Sequence, residues 1–132
     1  ALSSAASDVY KRQLTDYYNL CDVFCMPSYF EAYGLVFAEA LTYGLPCIGR
    51  DKFAMSEFIE DGCTGRLISG EDAEKLALDL WEVLRDPKYR EEVERRREWY
   101  LREYSWDKVA QRICSVMEKN ERDKDQYRSA GV

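Results

Sequence analysis

The 132-residue sequence contains no histidine. A Ser-His-Asp or Cys-His nucleophile arrangement therefore cannot form within the chain, and a Cys/His zinc site is excluded. Any catalytic group it carries is a carboxylate, a lysine, a tyrosine, a cysteine or a backbone amide. Its five cysteines, Cys21, Cys25, Cys47, Cys63 and Cys114, form no CxxC pair, so the spacing does not suit an all-cysteine metal site. An odd number of cysteines among apolar neighbours predicts reduced, buried thiols and a reducing, cytoplasmic setting. No apolar run approaches the roughly 18 residues of a membrane span. The first residues lack the basic-then-apolar layout of a signal peptide. Basic charge is also in deficit: 19 Lys and Arg against 25 Asp and Glu leave a net −6. This balance argues against a nucleic-acid-binding surface.

Hydrophobic residues make up 46% of the chain, enough for one real core. Leu14 to Leu20 carries apolar and aromatic residues at helical spacing, with Asp22 beyond it. Val23 to Met26 is a short apolar run closed by Pro27, as in a buried parallel strand. Gly34 opens a helix to about Tyr43, which Gly44 stops. Pro46 to Gly49 and Thr64 to Ile68 read as two more strands, with a helical turn at Ser56 to Glu60 between them. From Ser69 the pattern is helical. Ser69 to Asp72 supplies capping residues, and Ala73, Leu76, Ala77, Leu80 and Leu84 form one apolar face. Asp86-Pro87 starts a charged helix reaching about Arg102. Ser105 caps a last helix with Trp106, Val109, Ala110, Ile113, Cys114 and Met117 on one side. Asn120 to Val132 reads as a frayed polar tail.

Strands alternating with helices imply an α/β fold with a parallel sheet. Three strands fall short of the five or six of a doubly wound sheet, so the expectation is the C-terminal half of a Rossmann-like domain. The charge run Glu91 to Glu98, with Arg95, Arg96 and Arg97, is expected to be a solvated helix face. Contact with an anionic lipid or another partner is the alternative.

The chemistry concentrates in Pro27 to Gly44. The helix from Leu35 to Tyr43 is apolar nearly all round, which predicts burial, and Glu39 lies in its middle. A buried carboxylate without a partner costs several kcal/mol. Its partner could be a protein cation, backbone or hydroxyl donors, or the hydroxyls of a ligand. At the start of the same helix, the Tyr33-Gly34-Leu35-Val36 junction presents backbone amides. The helix dipole there favours an anion such as a diphosphate. Glu31, in the loop before it, sits on the same rim, beyond the carboxyl ends of the strands, where open α/β sheets bind ligands. Read alone, Glu31 could equally be an ordinary loop carboxylate, and Glu57 a residue that caps or braces its own helix.

Glu31 and Glu39 are separated by seven residues, as in the E-x7-E motif of GT-B retaining glycosyltransferases. The ordered set of Asp22-Val23-Phe24, Pro27-Ser28, Glu31, Gly34-Leu35-Val36, Glu39-Ala40, Gly44-Leu45-Pro46, Glu57, Asp61-Gly62, Thr64-Gly65 and Ser105-Trp106-Asp107 resembles the large family 4 group. The resemblance covers about Leu14 to Lys119. It departs in the loop after Gly49, where Arg50-Asp51-Lys52-Phe53 stands in place of the usual Gly-Gly; a related subgroup has similar loops.

The resemblance implies a GT-B donor-binding domain and a retaining transfer of sugar from a nucleoside diphosphate sugar, of UDP or GDP, to an acceptor hydroxyl. It implies that Glu39 binds the ribose hydroxyls, that Glu31 is the catalytic residue that contacts the donor sugar's hydroxyls and helps orient it, and that the amides of Gly34, Leu35 and Val36 hold the diphosphate. No metal or other cofactor is expected. The acceptor, a carbohydrate or a lipid-linked one, is expected to bind an N-terminal domain upstream of this chain. The diphosphate-neutralising Arg and Lys of the family lie there too, and Arg50 and Lys52 are not their equivalents. The partial chain is therefore expected to be inactive alone, with peripheral membrane contact open for the whole enzyme. Competing readings are another GT-B enzyme, a phosphorylase or a sugar-nucleotide epimerase, or a non-catalytic module that kept the fold.

Ser3 to Gln13 resembles the translation of a transposon-based sequencing adapter. The expected organisation is thus a non-native leader over 1–13, a partial nucleotide-sugar-binding domain over 14–119 and a polar tail over 120–132.

Overall fold

A computed structural model describes the backbone of residues 2–129 and the side chains of residues 10–120 and Arg122. The first unit, residues 1–98, holds the sheet. Helix α1 (Leu2–Leu20) leads into strand β1 (Phe24–Cys25), helix α2 (Leu35–Thr42), strand β2 (Cys47–Arg50), the short helix α3 (Met55–Phe58), strand β3 (Gly65–Ile68) and helix α4 (Ala73–Arg85). Helix α5 (Lys88–Glu103) runs across the division into the second unit, residues 99–132, which holds helix α6 (Trp106–Ser129).

The three strands form one parallel sheet in the order β1-β2-β3. The α/β class and the parallel strands with flanking helices are as the sequence implies. Central β2 is buried along its whole length. On it, Ile48 packs in one cluster with Ile68, Val83 and Tyr89, joined by Val23, Leu76 and Leu80. Helix α2 contributes a second group of buried residues, Phe37, Ala38, Ala40 and Leu41. Fully burying a side chain such as Phe37 stabilises the fold by about 1.5–3 kcal/mol. Strands β2 and β3 come unusually close at Gly65, where an added Cβ would overlap the Cys47 carbonyl oxygen. Only a residue without a side chain fits there. Thr64 beside it is fully buried, and its hydroxyl accepts the Glu60 N–H at 2.9 Å.

The expected caps are present. Asp72 accepts the Lys75 N–H at 3.0 Å, Asp86 accepts that of Lys88 at 3.1 Å, and Ser105 accepts that of Lys108 at 3.2 Å. Each satisfies a first-turn donor that the helix itself cannot.

Several expectations need correction. Helix α1 is continuous from Leu2, because nothing in residues 2–13 is a glycine or proline that would break it. Helix α6 likewise continues to Ser129 instead of fraying at Asn120. Of the cysteines only Cys47 is buried; Cys21, Cys25 and Cys114 are exposed, and all five are free. The inward face of α4 is Leu76, Asp79, Leu80 and Val83, while Ala73, Ala77 and Leu84 are exposed. The helix is rotated because Asp79 is held inside by charge: Lys75 lies 2.6 Å and Arg66 3.4 Å from its carboxylate. The arginine run of α5 is not simply solvated. Arg96 pairs with Glu60 at 2.5 Å and Arg97 donates to the Thr42 carbonyl at 2.8 Å, tying α5 to the loop after α3 and the end of α2. No helix among the described residues is long and apolar enough to cross a membrane.

Candidate functional site

Parallel strands place their carboxyl ends on one edge of the sheet, and the loops leaving that edge after β1 and β2 carry the candidate residues. The loop after β1 ends at Gly34, which precedes α2 in the left-handed conformation, φ 66°. An added Cβ there would sit 2.8 Å from Phe58, so both backbone and space call for glycine. The Glu31 carboxylate turns back onto this junction and accepts the N–H of Gly34 at 3.0 Å and of Tyr33 at 3.3 Å. The amides of Leu35 and Val36 follow in the first turn of α2, where no intrahelical acceptor exists for them. Glu31 and the glycine junction are thus brought together. The carboxylate occupies the position where a helix start favours negative charge, so an incoming anion would meet an acid already seated on one of the expected amides.

Glu39 is not where its sequence context suggests. It is exposed, as is Leu35 one turn before it, and the apolar run buries only one face of α2. Leu35 and Glu39 are four residues apart and so share the other face, which the run of apolar letters conceals. No desolvation cost therefore demands a partner for Glu39. Its carboxylate accepts the Tyr18 hydroxyl at 3.4 Å, and among the described residues no lysine or arginine pairs with it. Glu57 lies exposed in the first turn of α3, where negative charge complements the helix dipole.

Three further residues on this side of the protein escaped the sequence reading. Arg50 ends β2 and is buried; it donates to the Gly70 carbonyl at 2.8 Å and lies 4.5 Å under the ring of Tyr29. Its Nε has no hydrogen-bond partner, and no carboxylate among the described residues neutralises it. Phe53, in the next loop, packs edge-on against Phe30 at 5.2 Å and holds φ 56°, a left-handed conformation costly for a bulky side chain. Tyr18 is buried, stacked 5.0 Å from Tyr43, with Phe24 tilted against it at 6.1 Å. Burial first, and the Glu39 carboxylate second, push its hydroxyl up to about 12, so it stays a neutral donor at ordinary pH. None of the three follows a local pattern; each becomes visible only when separate segments meet.

A groove of about 720 Å³ is lined by Tyr18, Asn19, Tyr43 and residues of α5 including Arg90, Arg95 and Arg97. Those cations are paired to Asp22, Glu92 and Glu94, so none of the three arginines lining the groove is without an acidic partner. Among the described residues no three metal-binding side chains gather.

The model of the family "Glycosyl transferases group 1" matches residues 6–100. D-inositol 3-phosphate glycosyltransferase of Kribbella flavida is 32% identical over 98 residues, covering 74% of this chain and 23% of that protein. Sucrose synthase of Beta vulgaris is 31% identical, covering 76% of this chain and 14% of that protein. Among solved structures, the pneumococcal O-GlcNAc transferase GtfA, in complex with UDP and GlcNAc, superimposes with a TM-score of 0.59 and 25% identity, covering 87% of this chain and 27% of that one. The chain spans about a quarter or less of the length of these proteins. With its family model matched over most of its length and its motif acids set about a glycine-led helix start, the chain belongs to the group 1 glycosyl transferases.

Proposed function

We propose that the whole protein is a retaining glycosyltransferase acting on a UDP- or GDP-sugar, and that this chain supplies part of the donor site. The observation that carries the reading is the pair of motif acids: Glu31 is seated on the Gly34 amide, and Glu39 stands exposed on α2 with no cation of its own chain. Family membership and the UDP complex of the neighbouring structure support it.

In this reading the helix start receives the diphosphate, with the Leu35 and Val36 amides and the helix dipole opposing the charge that grows as the sugar leaves. A carboxylate suits a vicinal diol, since its two oxygens can accept from both hydroxyls. Glu39 would take the ribose diol so, and Glu31 would move from the Gly34 amide to the donor sugar's hydroxyls. The anomeric carbon–oxygen bond to the diphosphate breaks, and the acceptor oxygen bonds to the same face. The acceptor proton passes to the departing phosphate oxygen, so configuration is retained. No metal ion is needed where amides and dipole already meet the leaving charge.

The test is calorimetric titration of the full-length protein with UDP and GDP, comparing wild type with Glu39→Ala. Loss of binding of at least about tenfold is expected, the scale of a charge-assisted pair. Equal affinity in the variant overturns the assignment. The 132-residue chain assayed alone is expected to turn over no donor.

A further inference from the structure

We propose that Tyr18 is a positioning residue of the donor site, holding the Glu39 carboxylate in the orientation that receives the nucleotide's ribose. The proposal rests on the donor-site reading of Glu39 and goes beyond it by naming what aims the acid.

An exposed glutamate on a helix has three rotatable bonds and no fixed direction, and ordering it costs rotamer entropy on binding. Glu39 has one side-chain partner among the described residues, the Tyr18 hydroxyl from α1, 21 residues upstream. That hydroxyl is itself fixed. The Tyr18 ring is buried and lies nearly parallel to Tyr43, with 19° between planes. Tyr43 is tethered in turn through its hydroxyl to Thr15 Oγ1 at 3.1 Å. On the other side Tyr18 meets Phe24 of β1, which packs edge-on against Phe37 of α2 at 5.3 Å. The ring is thus built into the core between α1, β1 and α2, and its single polar atom points at Glu39.

The donation reaches Oε2 and leaves Oε1 with its accepting capacity. At 3.4 Å it is long for an O–H···O bond, as such contacts often are before a ligand tightens them. A buried hydroxyl is costly to leave unmatched, so the carboxylate and the hydroxyl each restrict the other. The arrangement matches a role in which one carboxylate oxygen is held and the other is offered.

The experiment uses the full-length protein in wild type, Tyr18→Phe, Glu39→Gln and double-variant forms, with UDP, GDP and their 2′,3′-dideoxy forms as probes in calorimetric titrations. Tyr18→Phe keeps the ring and its packing; circular dichroism checks the fold. The expected result is that Tyr18→Phe weakens binding of the ribonucleotide about threefold to tenfold, the scale of one hydrogen bond. The dideoxy form should bind unchanged, and the substitution should add nothing in the Glu39→Gln background. Equal weakening of both forms, no weakening, or a full effect without Glu39 overturns the positioning role. A wild-type protein that binds ribo and dideoxy forms alike overturns the reading of Glu39 itself and this proposal with it. Ribose preference that needs Glu39 but not Tyr18 overturns the proposal alone.

Discussion

Glu31 accepts the backbone N–H of Gly34 at 3.0 Å, so the first acid of the motif is tied to the residue that leads into the helix carrying the second. Replacing it by alanine removes its hydrogen bonds to the Tyr33 and Gly34 amides and is expected to cost about 0.5–1.5 kcal/mol of stability, measured by urea unfolding. In the full-length enzyme turnover should fall on the order of 100-fold through lost donor orientation. UDP lacks the sugar, and its affinity should hold. If UDP binding falls as far as turnover does, Glu31 serves the nucleotide and not the sugar.

Gly34→Ala meets two obstacles, a left-handed φ and Phe58 at 2.8 Å from the new Cβ. A loss of about 1–3 kcal/mol is expected, together with weaker binding of UDP as the helix start shifts. Pairing it with Phe58→Ala relieves the contact but not the φ, so the double variant should recover only part. Full recovery would show that space alone requires glycine.

Asp79 is the acid held inside by Lys75 and Arg66. Asp79→Ala leaves Arg66 without its most buried partner and should cost about 1–3 kcal/mol in denaturant midpoint measurements. Asp79→Leu combined with Arg66→Met removes both charges together and should lose less than the single change. A single change without effect would show that the pair is stabilised no better than in water.

Without histidine, no side chain has an ordinary pKa near neutrality, so stability should be level between about pH 6 and 8. Hydrogen bonding to Lys88 lowers the Asp86 pKa, and hydrogen bonding to Arg95 and Arg96 lowers that of Glu92. A lowered carboxylate contributes above its unfolded value and loses that contribution as pH falls through the folded one, so stability should decline modestly below about pH 4. Tyr18 is raised to about 12 from an ordinary 10.0, through burial and then Glu39, and burial raises the Cys47 thiol from 9.0. Their contribution is complete below those ordinary values and is lost as pH climbs from about 9 towards 12. Circular dichroism across the range, with absorbance of tyrosinate, checks both limbs; a midpoint that moves between pH 6 and 8 contradicts them.

If the amides of Leu35 and Val36 and the helix dipole serve the leaving diphosphate as proposed, chelation should leave turnover of the full-length enzyme unchanged. Activity lost in EDTA and restored by magnesium or manganese would assign that task to a metal.

The elements were legible because their signals are local. Pro27 and Gly44 mark boundaries, Asp72, Asp86 and Ser105 cap helices, and the strands are short apolar runs ending near them. Glu31 and Gly34 were legible for the same reason, being three residues apart. The orientation of α2 was not. A run such as Leu35-Val36-Phe37-Ala38 looks alike on every face, and only packing against β2 and α3 decides which side is covered. The buried place of Asp79 was not legible because Arg66, one of the two cations that hold it, comes from β3. Tyr18 and Arg50 take their meaning from residues 20 or so positions away, Glu39 and Gly70, which no periodicity links. The last ten residues of the final helix, Asn120 to Ser129, were missed because a polar stretch reads as a tail while many of its residues are also good helix formers.

Phe53 sits at φ 56° with its ring against Phe30. A residue kept in that conformation holds about 1–3 kcal/mol in reserve. A guest that let Phe53 relax into an ordinary backbone shape would recover whatever part of that reserve exceeds the contacts it breaks. A glycine or asparagine there would hold the resting shape at ease and would have less to give back.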